Sequence, residues 1–300
     1  MLEIAVNILV GLQLRKIVSI ITDLGKFRIT FFVAVTTAFG YILFSNSLSV
    51  GVIFSALGVF FMASGASALN QVQEYKFDLL MNRTKNRPIP SGQISLLGAK
   101  ILGSLFLILG VAILFLLFGI LPAILGLFTF IWYNLIYTPL KKINSFAIIP
   151  GSIVGAIPPV IGWTSAGGYL FEPTIMSTAL FFFIWQIPHF WLLLLIYSDD
   201  YKKAGFPVLT DKFSHRFLSR ISFLWIIALG FASFQMLIFD SSFSSVSFIL
   251  SSILFLILIF LSSSLIYKNL DRKLYLNNFY FINIYVLMII LLLTIDKLSN

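Results

Sequence analysis

With 300 residues, 59% hydrophobic and only 10% charged, and a mean hydropathy of +1.02, this chain is excluded as a water-soluble globule. The net charge of +9 does not indicate a nucleic-acid partner, because the basic residues follow the orientation bias of a membrane protein. Cysteine is absent, which removes disulfides, thiolate catalysis and thiolate metal sites.

The chain opens with MLEIAVNILVGLQLRK, which has an acid where a signal peptide needs a base and no small-residue cleavage site. Residues 2–22 are expected to lie as an interfacial helix on the cytoplasmic surface, making 1–23 an N-terminal surface helix and 24–300 a single transmembrane domain. Nine apolar stretches follow, near 29–46, 47–69, 94–118, 120–138, 146–165, 173–197, 218–239, 245–267 and 276–295. Each is close to the ~20 residues that cross a bilayer as a helix. The expected fold is therefore all-α and integral to the membrane, with nine transmembrane helices. Of the 20 basic residues, 19 fall on the N-terminal arm and alternate connections, and only Lys297 lies on the other side. By the positive-inside rule the N-terminus is expected in the cytoplasm and the C-terminus outside.

Residues 70–92, NQVQEYKFDLLMNRTKNRPIPSG, form a dense polar block in this apolar background. Asn70, Glu74 and Asp78 are spaced four apart, which puts one amide and two carboxylates along one helical face. No Gly or Pro interrupts residues 70–87, so the second span can continue as a helix into the block. Such a face suits Mg²⁺, a hard cation that takes oxygen ligands. Arg83, Lys85 and Arg87 follow, spaced to meet a phosphate-bearing ligand. Carboxylates that hold a metal beside guanidinium groups describe a diphosphate site. The plainer reading is a solvated turn whose bases obey the positive-inside rule. The shared face and the depth of Asn70 weigh against it.

Further along, Lys141 and Lys142 sit in a cytoplasmic turn, and the fifth span carries Pro150, Gly151, Gly155, Pro158, Pro159 and Gly162. Such a span either packs closely or opens a cavity wall, and the double proline argues for the cavity. The sixth span ends in WQIPHFWLLLLIYSDDYKKAGFPVLT, residues 185–210. Asp199 and Asp200 stand at its mouth, followed by Tyr201, Lys202 and Lys203, on the same membrane side as the first block. His189 lies deeper, after Pro188, which is expected to bend the helix. A histidine there hydrogen-bonds a neighbouring helix, ligates haem iron or serves as a base.

Taken together, Asn70-xxx-Glu74-xxx-Asp78 with Met81-x-Arg83-Thr84 and Arg87-Pro88 resembles the first acidic motif of the UbiA-type intramembrane prenyltransferases. Glu at the middle position is the form found in the branch that farnesylates protohaem. Tyr137-Thr138-Pro139-Leu140-Lys141-Lys142, the segment Gly155 to Trp163, Trp185-Gln186-Ile187-Pro188-His189-Phe190 and Asp200-Tyr201-x-x-Ala204-Gly205-x-Pro207 also resemble signatures of that branch. Two departures stand out: Phe27 replaces a more usual Pro, and Asp199 and Asp200 do not form a DxxxD motif.

The resemblance implies nine helices around a lipid-open cavity in the cell (inner) membrane, with the active site facing the cytoplasm. It implies Mg²⁺ as cofactor, and farnesyl diphosphate and haem B as substrates. It also implies a downstream partner in haem A synthase or terminal-oxidase assembly. By role, Asn70, Glu74, Asp78 and Asp200 would hold metal, Arg83, Arg87, Lys141 and Lys202 would clamp phosphate, and Asp199, Asp200 and Tyr201 would form a second acidic loop. His189 would contact the haem as ligand or base. A sister prenyltransferase acting on a quinone or chlorophyll precursor, a transporter and a non-catalytic haem-binding membrane protein are the alternatives. Glu74 and the Trp185–Phe190 block oppose the first, and the convergent acid–base clusters oppose the other two.

Overall fold

The apolar stretches become helices because hydrocarbon offers no partner for backbone N–H and C=O groups, so each segment must pair its own. The computed structural model describes the backbone of residues 2–267 and 270–299 and the side chains of 13–266 and 270–299. A helix, α1 (Leu2–Leu24), precedes α2 (Phe27–Ser45), α3 (Val50–Asp78), α4 (Leu96–Phe118) and α5 (Ile120–Leu140). The second half comprises α6 (Ile148–Ser165), α7 (Pro173–Lys203), α8 (His215–Phe239), α9 (Ser245–Ile266) and α10 (Arg272–Ser299). Among the described residues nine helices, α2 to α10, are long and apolar enough to cross a bilayer. They coincide with the nine expected spans. Lys268, one of the orientation-setting bases, lies outside the described residues.

Two helices overrun their apolar stretches: α3 continues to Asp78 and α7 to Lys203. Each therefore carries polar side chains past the hydrocarbon on a rigid rod. The expected helical continuation into the polar block runs as far as Asp78. α3 ends at Asp78 and the chain turns back, because Thr84 Oγ1 donates to the freed carbonyl of Asp78 at 2.9 Å and Arg87 folds onto its carboxylate. Helix ends need such partners for their last carbonyls.

α6 corrects an expectation. Pro158, Pro159 and Gly162 are buried in the contact with α2 rather than lining an opening. A Cβ on Gly162 would collide with the Thr37 carbonyl, one on Gly40 with the Pro159 carbonyl, and one on Gly155 with Gln186 of α7. Small residues let these backbones approach, which is how helices gain van der Waals contact where the hydrophobic effect gives none. In α7 the residue with non-helical dihedrals is Tyr197 (φ −124°, ψ 19°), not one beside Pro188. The break thus falls just before Asp199 and Asp200. α10 packs on α7, α9 and α2, so the last helix returns to the first span. The main core is formed by α7, α8 and α10, with Phe181, Phe182, Ile187, Ile226, Leu229, Ile282 and Ile289 fully buried.

Candidate functional site

At the polar end of α3, Asn70, Glu74 and Asp78 are all buried on one face. Each meets a partner from a distant part of the chain. Asn70 Nδ2 donates to Thr138 Oγ1 at 2.9 Å. Lys141 Nζ donates to Glu74 Oε2 at 2.8 Å. Arg87 Nη1 donates to both carboxylate oxygens of Asp78 at 2.8 Å. The α5 residues reach this face through a widened turn, a π-helical segment at Trp132–Tyr137 that re-aims Thr138 and Lys141. Asn134 pins the segment by donating to the Ala66 carbonyl at 3.0 Å and to Gln73 Oε1 at 3.3 Å. The ammonium of Lys141 is held above its ordinary range: burial opposes its charge, but the charge of Glu74 and its hydrogen bond outweigh that cost.

The loop after α3 and the end of α7 converge. Met81 packs with Ala204 and Phe206, with Phe77 and Tyr201 at the edge. The backbone N–H of Arg83 donates to Asp200 Oδ2 at 3.2 Å, and its Nη2 donates to the Tyr201 hydroxyl at 3.3 Å. The guanidinium also lies over the rings of Tyr197 and Tyr201, 5.1 and 5.8 Å from their centroids. These contacts bring Asp200 and Tyr201 to the first motif. Asp199 is exposed, and Lys202 turns to Asp211 at 2.6 Å with both side chains about half exposed.

Lys26 was legible in the sequence only as an orientation charge. It occupies the tight turn between α1 and α2 in a left-handed conformation (φ 49°, ψ 48°). Gln71 of α3 fixes that turn by donating to the carbonyls of Asp23 at 3.1 Å and Leu24 at 2.8 Å. Burial and then the positive charges of Arg87 and Lys141 lower its pKa to about 7, against the opposing pull of Glu74 and Asp78. Lys26 is thus coupled to the same cluster. The signal that would have found it is its place in Leu24–Ile29, next to the departure at Phe27.

The donor set fits a hard divalent cation in one specific respect: Glu74 Oε1 is buried without a hydrogen-bond partner. An orphaned carboxylate oxygen beside an amide and a second carboxylate is the chemistry Mg²⁺ takes. The four expected metal ligands are not gathered at metal distance, however. Among the described residues no group of three or more His, Cys, Asp and Glu side chains forms such a cluster. The reason is electrostatic: Lys141 and Arg87 neutralise Glu74 and Asp78 directly.

About four turns from the Lys203 end of α7, His189 Nδ1 lies 3.0 Å from Asn283 Oδ1 of α10. The ring stands against Trp185 and Phe279 at centroid distances of 4.9 and 4.7 Å. Asn283 was not singled out in the sequence, although an amide inside an apolar span is the same signal that marked Asn70.

Comparison with known proteins gives these features a lineage. The chain is 35% identical to a protoheme IX farnesyltransferase of Oleidesulfovibrio alaskensis, over 65% of this chain and 70% of that one. It is 44% identical to that of Geobacter sulfurreducens over 51% of this chain and 56% of the other. It is 37% identical to the human mitochondrial protoheme IX farnesyltransferase over 66% and 45%. In fold it resembles a UbiA homolog of Archaeoglobus fulgidus bound to GPP and Mg²⁺, with a TM-score of 0.64 at 14% identity, covering 94% of this chain and all of that one. A structure of digeranylgeranylglyceryl phosphate synthase gives a TM-score of 0.76 at 16% identity over 94% and 99%. Residues 32–287 match the UbiA prenyltransferase family, and with nine spans and both acidic ends meeting on one face, the chain belongs to that family.

Proposed function

We propose that this chain transfers the farnesyl group of farnesyl diphosphate to a vinyl group of protohaem, with addition of water, giving the hydroxyethylfarnesyl haem and diphosphate. The reading is carried by one observation: two buried ion pairs, Glu74–Lys141 and Asp78–Arg87, on one face of α3, with an unpartnered oxygen on Glu74. Paired charges of this kind can exchange partners. Lys141, Arg87, Arg83 and Lys26 turn to the diphosphate oxygens, while Glu74, Asp78 and Asn70 are freed for a cation. Asp200 completes the acidic side. Mg²⁺, when bound there, supplies positive charge that stabilises the departing diphosphate.

The rest of the reaction falls to the protein's own groups. The bases neutralise charge as the C1–O bond of farnesyl diphosphate breaks and C1 gains allylic cation character. The terminal carbon of the haem vinyl group bonds to C1, water adds at the neighbouring carbon, and one proton is released. The isoprenoid chain lies among the Phe-rich helices, which keep bulk water from the cation until that addition. His189 stands on the acceptor side, deeper along α7 than Asp200. The positive-inside count supports a cytoplasmic membrane location with the diphosphate site at the cytoplasmic face. Onward transfer to a haem A synthase or terminal-oxidase assembly partner completes the reading.

Membranes containing the protein, incubated with haem B, farnesyl diphosphate and Mg²⁺, are expected to yield haem heavier by one farnesyl group and one hydroxyl on mass analysis. Prenylation of an aromatic acid with haem left untouched would overturn the choice of acceptor.

A further inference from the structure

The His189 contact carries more chemical information than its distance alone. The amide of Asn283 is fixed in orientation, because its Nδ2 donates to the carbonyl of Phe279 one turn earlier in α10. An NH₂ group can only donate, so Oδ1 is the atom turned to the imidazole, and it can only accept. The 3.0 Å contact therefore requires a proton on His189 Nδ1. In a neutral ring the lone pair then sits on Nε2, and among the described residues Nε2 has no hydrogen-bond partner. The same turn of α10 grips the ring from a second side, since Phe279 also packs against it. One turn deeper, Trp185 meets the imidazole and keeps a buried indole N–H without a partner. Unsatisfied polar atoms are costly in hydrocarbon, so this wall has polar capacity that no described side chain uses.

We propose that Asn283 is a positioning residue for the acceptor side of the reaction. It locks His189 in the Nδ1–H tautomer and so presents Nε2 as the one lone-pair nitrogen available to haem iron or to a proton. The inference rests on the reading of His189 as the haem-side contact, and the test separates the two. Removing the acceptor that orients a ligating histidine typically alters affinity or activity by about 10- to 100-fold.

The protein has two histidines, His189 and His215, so a His215→Gln background leaves one imidazole to observe. In ¹⁵N-histidine-labelled protein in detergent, nitrogen shifts and one-bond N–H couplings are expected to show Nδ1 protonated and Nε2 bare. In Asn283→Leu the Nδ1–H form should no longer be fixed, and KM for haem should rise about 10-fold or more while KM for farnesyl diphosphate stays put. Asn283→Asp keeps an acceptor in place and should recover the Nδ1–H signature and most of the haem affinity. A bare Nδ1 in the starting protein, or an Nδ1–H form unchanged in Asn283→Leu, would overturn the tautomer lock. A lost lock with unchanged haem kinetics would overturn the positioning role. His189→Ala, measured in parallel, judges the underlying reading: full activity there removes His189 from the reaction whatever Asn283 does.

Discussion

Among the described residues two buried ion-pair clusters stand out in this bundle, and they are built differently. At the C-terminal end of α10, Lys297 Nζ pairs with Asp240 Oδ2 at 2.7 Å, donates to Ser242 Oγ at 2.7 Å and lies over the Phe243 ring at 5.2 Å. Asp240 also accepts from the hydroxyl and backbone N–H of Ser242, and Asp296 accepts from the Ser244 N–H at 2.8 Å. Every charge in that cluster has its partners, and they tie α10 to the α8–α9 turn. The cluster at the end of α3 is also paired, but Glu74 keeps a free oxygen and Lys26 is held at a pKa of about 7 by burial and neighbouring bases. A saturated network serves as a clasp, whereas an under-satisfied one has the spare polar capacity that the proposed site needs. Burial and ion pairing alone do not distinguish function from stability; the remaining unsatisfied atoms do.

The sharpest way to break this contrast is Asp78→Ala. Transfer is expected to fall by about 10²- to 10³-fold or more, the scale on which a reacting centre responds to loss of one electrostatic group, while the protein still inserts. Near-normal turnover at saturating substrate and Mg²⁺ would reduce the α3 cluster to a second clasp. His189→Ala tests how far the site extends: haem use should drop by at least about 10-fold with farnesyl diphosphate binding intact. A structural interhelical hydrogen bond, worth about 0.6 kcal/mol in membranes, would leave haem titrations by absorbance unchanged.

Glu74→Asp is milder, since charge is kept and the carboxylate retracts by one carbon. The Mg²⁺ titration of activity should shift by several-fold, because Mg²⁺ tolerates little departure from octahedral geometry. An unchanged titration would mean that the orphaned oxygen is not a ligand.

For the clasp, Lys297→Ala should lower stability by about 3 kcal/mol, the usual result of removing one partner of a buried pair, read as thermal inactivation in detergent. Its turnover at low temperature should match wild type, and a selective loss of turnover would blur the two regions. The smallest effect is on pH. Burial pushes the Asp240 carboxyl up, but hydrogen bonds from Lys297 and Ser242 and the Lys297 charge pull it below its usual 3.8. A depressed carboxyl stabilises the fold above its unfolded pKa, and that contribution is lost as pH falls through the folded value. Acidification below about pH 4 should therefore narrow the stability gap between wild type and Asp240→Asn.

The helices themselves were legible from the chain alone, since ~20 apolar residues in hydrocarbon have few structures open to them. Asn70, Glu74 and Asp78 were legible too, because a four-residue spacing fixes a shared face wherever the helix lies. The spacing carried no information about which bases meet them. Arg87 reaches Asp78 only because α3 stops and its loop reverses, and Lys141 reaches Glu74 only through the π-helical turn in α5. Lys202, equally plausible by position, goes instead to Asp211. The double proline of α6 misled for a related reason: a bent span of small residues permits either a cavity or a close approach, and the facing helix chooses.

What the sequence determined by itself is thus one-dimensional: span number, the approximate position of each span, the acidic face and the alternation of basic connections, all set by hydropathy and helical period. What the tertiary structure decided is pairing. It set Lys26 within reach of the Arg87 and Lys141 charges, brought Asp200 to Arg83, broke α7 at Tyr197 and joined His189 to Asn283, 94 residues away. Charges and hydrogen bonds act over a few ångströms, so their partners are fixed only once packing has chosen which helices are neighbours.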